Sequence, residues 1–155
     1  MSTALAKDLE TTTKETLSAA VGTAQVGVTP EPMPQLNGLQ LQLPGAAPVY
    51  LVLNGFRCWI PDPTTYGNLF VPGAAIVHDI NIGVVSEGPA LSSGAVLLQG
   101  SGSPQVYLIT NGMKMWIPSQ AIFNRYQFDQ AKIVVVPQIV VNSIPSGPDV
   151  QAQTT

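Results

Sequence analysis

The stretch Val49-Tyr-Leu-Val-Leu-Asn-Gly-Phe-Arg-Cys-Trp-Ile-Pro61 returns further along the chain as Val106-Tyr-Leu-Ile-Thr-Asn-Gly-Met-Lys-Met-Trp-Ile-Pro118. An internal repeat of this kind marks one supersecondary unit that buries its apolar face against its own copy. Each copy is an apolar run, then Asn-Gly, then a second apolar run. Asn-Gly suits the two-residue type I′ turn of a hairpin, because both central residues take positive φ. Asn54-Gly55 and Asn111-Gly112 are therefore placed at hairpin tips. Counting outward from the first tip pairs Leu51 with Cys58, Tyr50 with Trp59 and Val52 with Arg57. Side chains alternate between faces with period two. One face then holds Val49, Leu51, Leu53, Phe56, Cys58 and Ile60, matched by Val106, Leu108, Thr110, Met113, Met115 and Ile117, and it is expected to be core.

The other face carries Tyr50 opposite Trp59 and Tyr107 opposite Trp116, with Arg57 and Lys114 beside them. Two readings of these rings stand side by side. A cross-strand aromatic pair contributes about 0.2–1 kcal/mol to a hairpin, so the pair can be purely structural. Alternatively the face is an exposed platform for a sugar ring or an anionic group, to which bases lying along aromatic rings are suited. On that second reading the ligand-binding set is Tyr50, Asn54, Arg57 and Trp59 in one copy and Tyr107, Asn111, Lys114 and Trp116 in the other. The rings stack on the sugar, and the asparagines and bases bond its hydroxyls.

Composition narrows the partners. Only 10% of residues are charged, against about 25% in ordinary domains, while 45% are hydrophobic. A net charge of −3 with six Lys and Arg argues against nucleic acid, which needs a basic stripe. A neutral surface favours self-association or a neutral ligand such as a glycan. The lone Cys58 rules out an internal disulfide and reads as a small buried hydrophobe. No apolar run is long enough to span a bilayer, and no secretory signal is visible. The expectation is a cytoplasmic protein, or one exported by a route that this chain does not encode.

Taken in order, residues 1–22 carry Leu5, Leu9, Thr13, Leu17 and Val21 at four-residue spacing, which predicts an amphipathic helix. Packing on the domain, assembly between chains and fraying are all open to it. Residues 23–36, with Pro30, Pro32 and Pro34, are expected to form an extended linker with few core residues. Repeat 1 is assigned to residues 37–93 and repeat 2 to 94–148. Each opens on a strand before its hairpin: Leu39, Leu41 and Leu43 alternate with Gln40 and Gln42, and Ala95, Val96, Leu97 and Leu98 after Gly94 form the counterpart. After the hairpins, Asp62 and Ser119 supply N-cap oxygens for short helices near 63–67 and 120–126. Tyr66 aligns with Phe123, Phe70 with Phe128, and Ile76-Val77 with Val135-Val136. The tail, 149–155, shows no reason to order.

The second copy, through Val106-Tyr107-Leu108, Asn111-Gly112, Lys114, Trp116-Ile117-Pro118 and Ile144-Pro145-Ser146-Gly147, resembles a tandem repeat of bacterial proteins, often secreted or surface-associated. The first copy departs at its end, Val85-Ser86-Glu87-Gly88, which lacks the proline. The resemblance spans about residues 38–148. It implies an adhesive or binding context at a cell surface and no particular activity.

Catalytic chemistry is poorly provided for. One histidine, His78, cannot complete a triad or a zinc site and is expected in a loop or at a strand edge. Asp62, Asp79, Glu87, Asp129 and Asp149 fall in separate loops, and no phosphate loop is present, so neither cofactor nor metal is expected. The expected fold is all-β or β-rich, with two pseudo-twofold-related three-stranded repeats forming a small barrel or sandwich with short helices. The expected function is a non-catalytic module for glycan or a cell-surface polymer. A structural homo-oligomer is the competing reading. A toxin-like, pore-forming component stands behind it, on the β-rich run from 132 to 141.

Overall fold

The computed structural model describes residues 11–18 and 29–154. Helix α1 covers 11–18, and the strands among the described residues form two four-stranded mixed sheets. In the first, β1 (Gln40–Gln42), β2 (Val49–Leu53) and β3 (Phe56–Ile60) make an antiparallel meander. The chain then crosses through helix α2 (Pro63–Leu69) and adds β4 (Ile76–His78) parallel to β1. The second sheet repeats the plan with β5 (Val96–Gly100), β6 (Val106–Thr110), β7 (Met113–Ile117), helix α3 (Gln120–Arg125) and β8 (Val134–Val136), closed by helix α4 (Gln138–Asn142).

The β-rich, duplicated fold is as the repeat implied, with two corrections. Each unit has four strands and not three, because a parallel strand arrives by a crossover and carries no turn signal of its own. The sheets stay open and do not close into a barrel. Strand register also shifts one equivalence: Val77 lies opposite Leu41 and Val134 opposite Leu98, so Val77 answers to Val134 and not to Val136.

The twofold relation is written in reciprocal backbone bonds. Val71 N–H donates to Gln127 O and Asp129 N–H to Leu69 O, both at 2.9 Å, around Phe70 and Phe128, whose rings stack at 5.7 Å. Asn54 Nδ2 donates to Asp149 O at 2.9 Å, while Asn111 Nδ2 donates to Ala90 O at 3.1 Å. The end of each repeat therefore reaches the hairpin tip of the other. Between the sheets, Leu51, Cys58 and Ile60 meet Leu108, Met115 and Ile117 in one buried cluster with Phe70 and Phe128. The face expected to be core is buried at its centre, while Phe56 beside the first hairpin tip is a correction, 37% exposed.

Repeat 1 is also covered over part of its second face, beside the exposed Trp59. Leu17 of α1, Met33 and Leu36 cover Leu39, Leu41, Val52 and Val77. Residues 11–18 pack on the domain through Leu17, one of the uses open to the N-terminal helix. Residues 1–10 and 19–28 lie outside the described residues. The stretch 29–36, expected as a linker with few core residues, supplies Met33 and Leu36 at 2% and 3% exposure. The tail is a further correction. Val150 is fully buried, its N–H donates to Trp116 O at 2.8 Å, and Gln151 N–H donates to Asn54 Oδ1 at 2.8 Å. Buried partners, invisible in a polar sequence, order it.

Candidate functional site

The hairpin register brings the predicted ring pairs together as expected, Tyr50 opposite Trp59 and Tyr107 opposite Trp116. Both turns use positive φ, 50° at Asn54 and 53° at Asn111, each followed by a glycine that is also left-handed. The bases lie over the tyrosines: Arg57 Cζ is 4.9 Å from the Tyr50 ring centroid and Lys114 Nζ 5.3 Å from that of Tyr107. They are also anchored from behind. Arg57 Nε donates to Val85 O at 2.9 Å and its Nη1 sits 3.3 Å from Glu87 Oε2, while Lys114 Nζ donates to Val141 O at 2.9 Å. The asparagine amides are committed to the seam between repeats. Asn54 both donates to Asp149 and accepts from Gln151, so its bonds serve the fold before any ligand.

The indoles differ. Trp59 is 42% exposed, whereas Trp116 is half-buried. Trp59 stands as a ridge between two hollows. One, of about 480 Å³, runs along Val49, Pro61, Asp62, Tyr66 and Ile76. The other, of about 320 Å³, lies towards Pro48, Tyr50 and Glu87. The twin of the first hollow sits beside Trp116, Ser119 and Phe123 and measures about 230 Å³.

At the rim of the larger hollow, Asp62 caps α2. Its Oδ1 accepts from Thr65 N–H and its Oδ2 from Ser93 Oγ, both at 2.7 Å. The Ser93 hydroxyl and then the Thr65 amide hold the carboxyl below the usual carboxylate range. Tyr66 donates to Gln40 Oε1 at 2.6 Å, and burial raises the phenol above its ordinary value. Gln40 is fully buried, and its Nε2 has no partner. Sequence reasoning placed Asp62 as a cap and Tyr66 as a packing ring, and gave Gln40 no part. The available signal was divergence between aligned copies, since Gln40 and Tyr66 stand where repeat 2 has Leu97 and Phe123.

Burial pushes the Cys58 thiol up to about 11, which keeps it protonated and unreactive at neutral pH. His78 ends the edge strand β4 and pairs with Gln42 Oε1 at 2.8 Å. Among the described residues no three His, Cys, Asp or Glu side chains converge to hold a metal ion, and no helix is long and apolar enough to cross a membrane. Comparison of the chain with protein-family models, curated proteins and solved structures finds no match.

Proposed function

We propose that this chain is a non-catalytic binding module that recognises glycan or a cell-surface polymer through the aromatic face of a hairpin. The observation that carries this reading is Trp59, 42% exposed between hollows of about 480 and 320 Å³. A large apolar ring left in water beside a concave surface is the arrangement that stacking on the C–H face of a sugar requires. A chain with 10% charged residues favours a neutral ligand over an anionic polymer. The resemblance of the hairpin to surface-associated bacterial repeats points the same way. A glycan array probed with the wild type and with Trp59→Ala tests it. The wild type is expected to give discrete positives that the variant loses, and an unchanged pattern in the variant ends the reading.

A specific observation favours the second reading, a homo-oligomer. Val134 is 46% exposed, where its counterpart Val77 in repeat 1 is buried beneath the N-terminal segment, and Ile139 nearby is 76% exposed. Light scattering of the wild type and of Ile139→Lys separates the two. Assembly through that surface predicts a multimer that the lysine disperses.

A further inference from the structure

We propose that the duplicated site has divided its roles: repeat 1 alone binds ligand, a neutral sugar ring held between the Trp59 indole, the Asp62 carboxylate and the Tyr66 hydroxyl, and the twin hollow of repeat 2 is structural. The proposal rests on the binding-module reading and narrows it.

The two hollows are images of each other, so every difference between them is a substitution in one scaffold. Where repeat 1 has Asp62 and Tyr66, repeat 2 has Ser119 and Phe123. Beneath Tyr66 lies Gln40, which pairs with Leu51 just as Leu97 pairs with Leu108. All three polar groups of repeat 1 are thus absent or reduced in its copy, which instead places Gln105 and Gln120 where repeat 1 has Pro48 and Pro63. The hollows also differ in size, about 480 against 230 Å³. Ligand sites run from about 300 Å³ upward, so the second falls short.

The polar groups differ in what they leave for a ligand. The Asp62 carboxylate accepts from Thr65 N–H and Ser93 Oγ at 2.7 Å, and the Thr65 hydroxyl and Thr64 amide also bond to it, so a ligand hydroxyl would share an oxygen with these donors. Those donors keep it ionised and fix its orientation. A cap alone needs no carboxylate, as Ser119 caps α3 at 3.2 Å from Ile122 N. The Tyr66 hydroxyl gives its proton to Gln40, so its oxygen is left as an acceptor. A fully buried glutamine with an unpaired Nε2 is unfavourable for folding, and a site that needs Tyr66 held with its proton directed inward gives that residue a purpose. A ring with one apolar face and several hydroxyl donors meets all three features, since it stacks on Trp59 and donates to Asp62 and Tyr66. An anionic sugar would be repelled by Asp62.

The test is isothermal titration of the full chain with the cello-, chito-, manno- and galacto-tetrasaccharides. The expected result is saturation at one ligand per chain for at least one of them. Asp62→Ser, which imports the cap of repeat 2, and Tyr66→Phe are each expected to weaken binding about tenfold, and Trp59→Ala to weaken it further. Circular dichroism checks that all three remain folded, and Trp59→Phe, expected to bind between wild type and alanine, covers a failure of Trp59→Ala to fold. Trp116→Ala is expected to stay within about twofold of wild type. Two ligands per chain, or Trp116→Ala weakening binding as much as Trp59→Ala, would overturn the single-site proposal while leaving a tryptophan-based module standing. No binding of any of the four, or binding indifferent to both tryptophans, would overturn the underlying reading as well.

Discussion

Gln40 shows what one residue decides. Leu39-Gln40-Leu41-Gln42 reads as a strand with leucines on one face and glutamines on the other, and a half-covered sheet would put the glutamines in water. The structure buries both faces, with Gln40 at the inner core and Leu39 and Leu41 under α1, Met33 and Leu36. Alternation fixes which residues share a face, but when both faces are covered it does not say which side meets which partner. An unpaired buried amide costs about 1–3 kcal/mol, and repeat 2 avoids the cost with Leu97. The double variant Gln40→Leu/Tyr66→Phe is therefore expected to gain about 1 kcal/mol in urea unfolding. A loss of stability would mean that the Tyr66–Gln40 bond outweighs the orphaned donor.

At the scale of elements, the helix starts and hairpin tips were legible because their chemistry is local. Asp62 and Ser119 sit at N-caps with extended backbone and accept from the third amide onward, as their spacing predicted. Ser119→Ala is expected to cost about 1 kcal/mol in thermal or urea unfolding. Asp62 adds a pH dependence. Its folded pKa lies below the unfolded value of about 3.9, so its contribution is complete above that value and lost as pH falls through the depressed folded value. Melts of the wild type and of Asp62→Asn are accordingly expected to differ at neutral pH and to converge in acid, below about pH 4. A gap that widens in acid would contradict the assigned donors. The parallel strands β4 and β8 were missed at this scale, since three-residue runs such as Ile76–His78 have neither the length nor the turn signals of a hairpin strand.

For the whole molecule, the duplication sets two nearly equivalent sheets back to back and then treats them unequally. The first sheet is covered on its inner face and, apart from Trp59 at 42% exposure, over much of its outer face, while the second leaves Val134 and Val135 at 46% and 60% exposure. Leu17, fully buried in α1, should therefore carry real stability. Leu17→Ala is expected to lose about 2–4 kcal/mol in urea unfolding, as a buried leucine truncated to a cavity does. A change within about 0.5 kcal/mol, typical of a surface position, would show that α1 lies on the sheet without stabilising it. The chain end belongs to this scale too. Tyr126 donates to Gln151 O at 2.8 Å and Asn37 Nδ2 to Ala152 O at 3.0 Å, contacts that tie the last described residues to both repeats.

The sequence by itself determined the two hairpins, the partners across them, the inner faces that meet and the helix caps. Asn-Gly turns, period-two alternation and cap oxygens act over a few neighbouring residues, and a repeated segment must solve its burial problem twice in the same way. Only the tertiary structure decided which outer face is covered, what orders the tail, and how far the two hollows have diverged. Those depend on residues far apart in the chain, such as Gln40 with Tyr66 and Asn54 with Asp149, whose meeting no local pattern encodes.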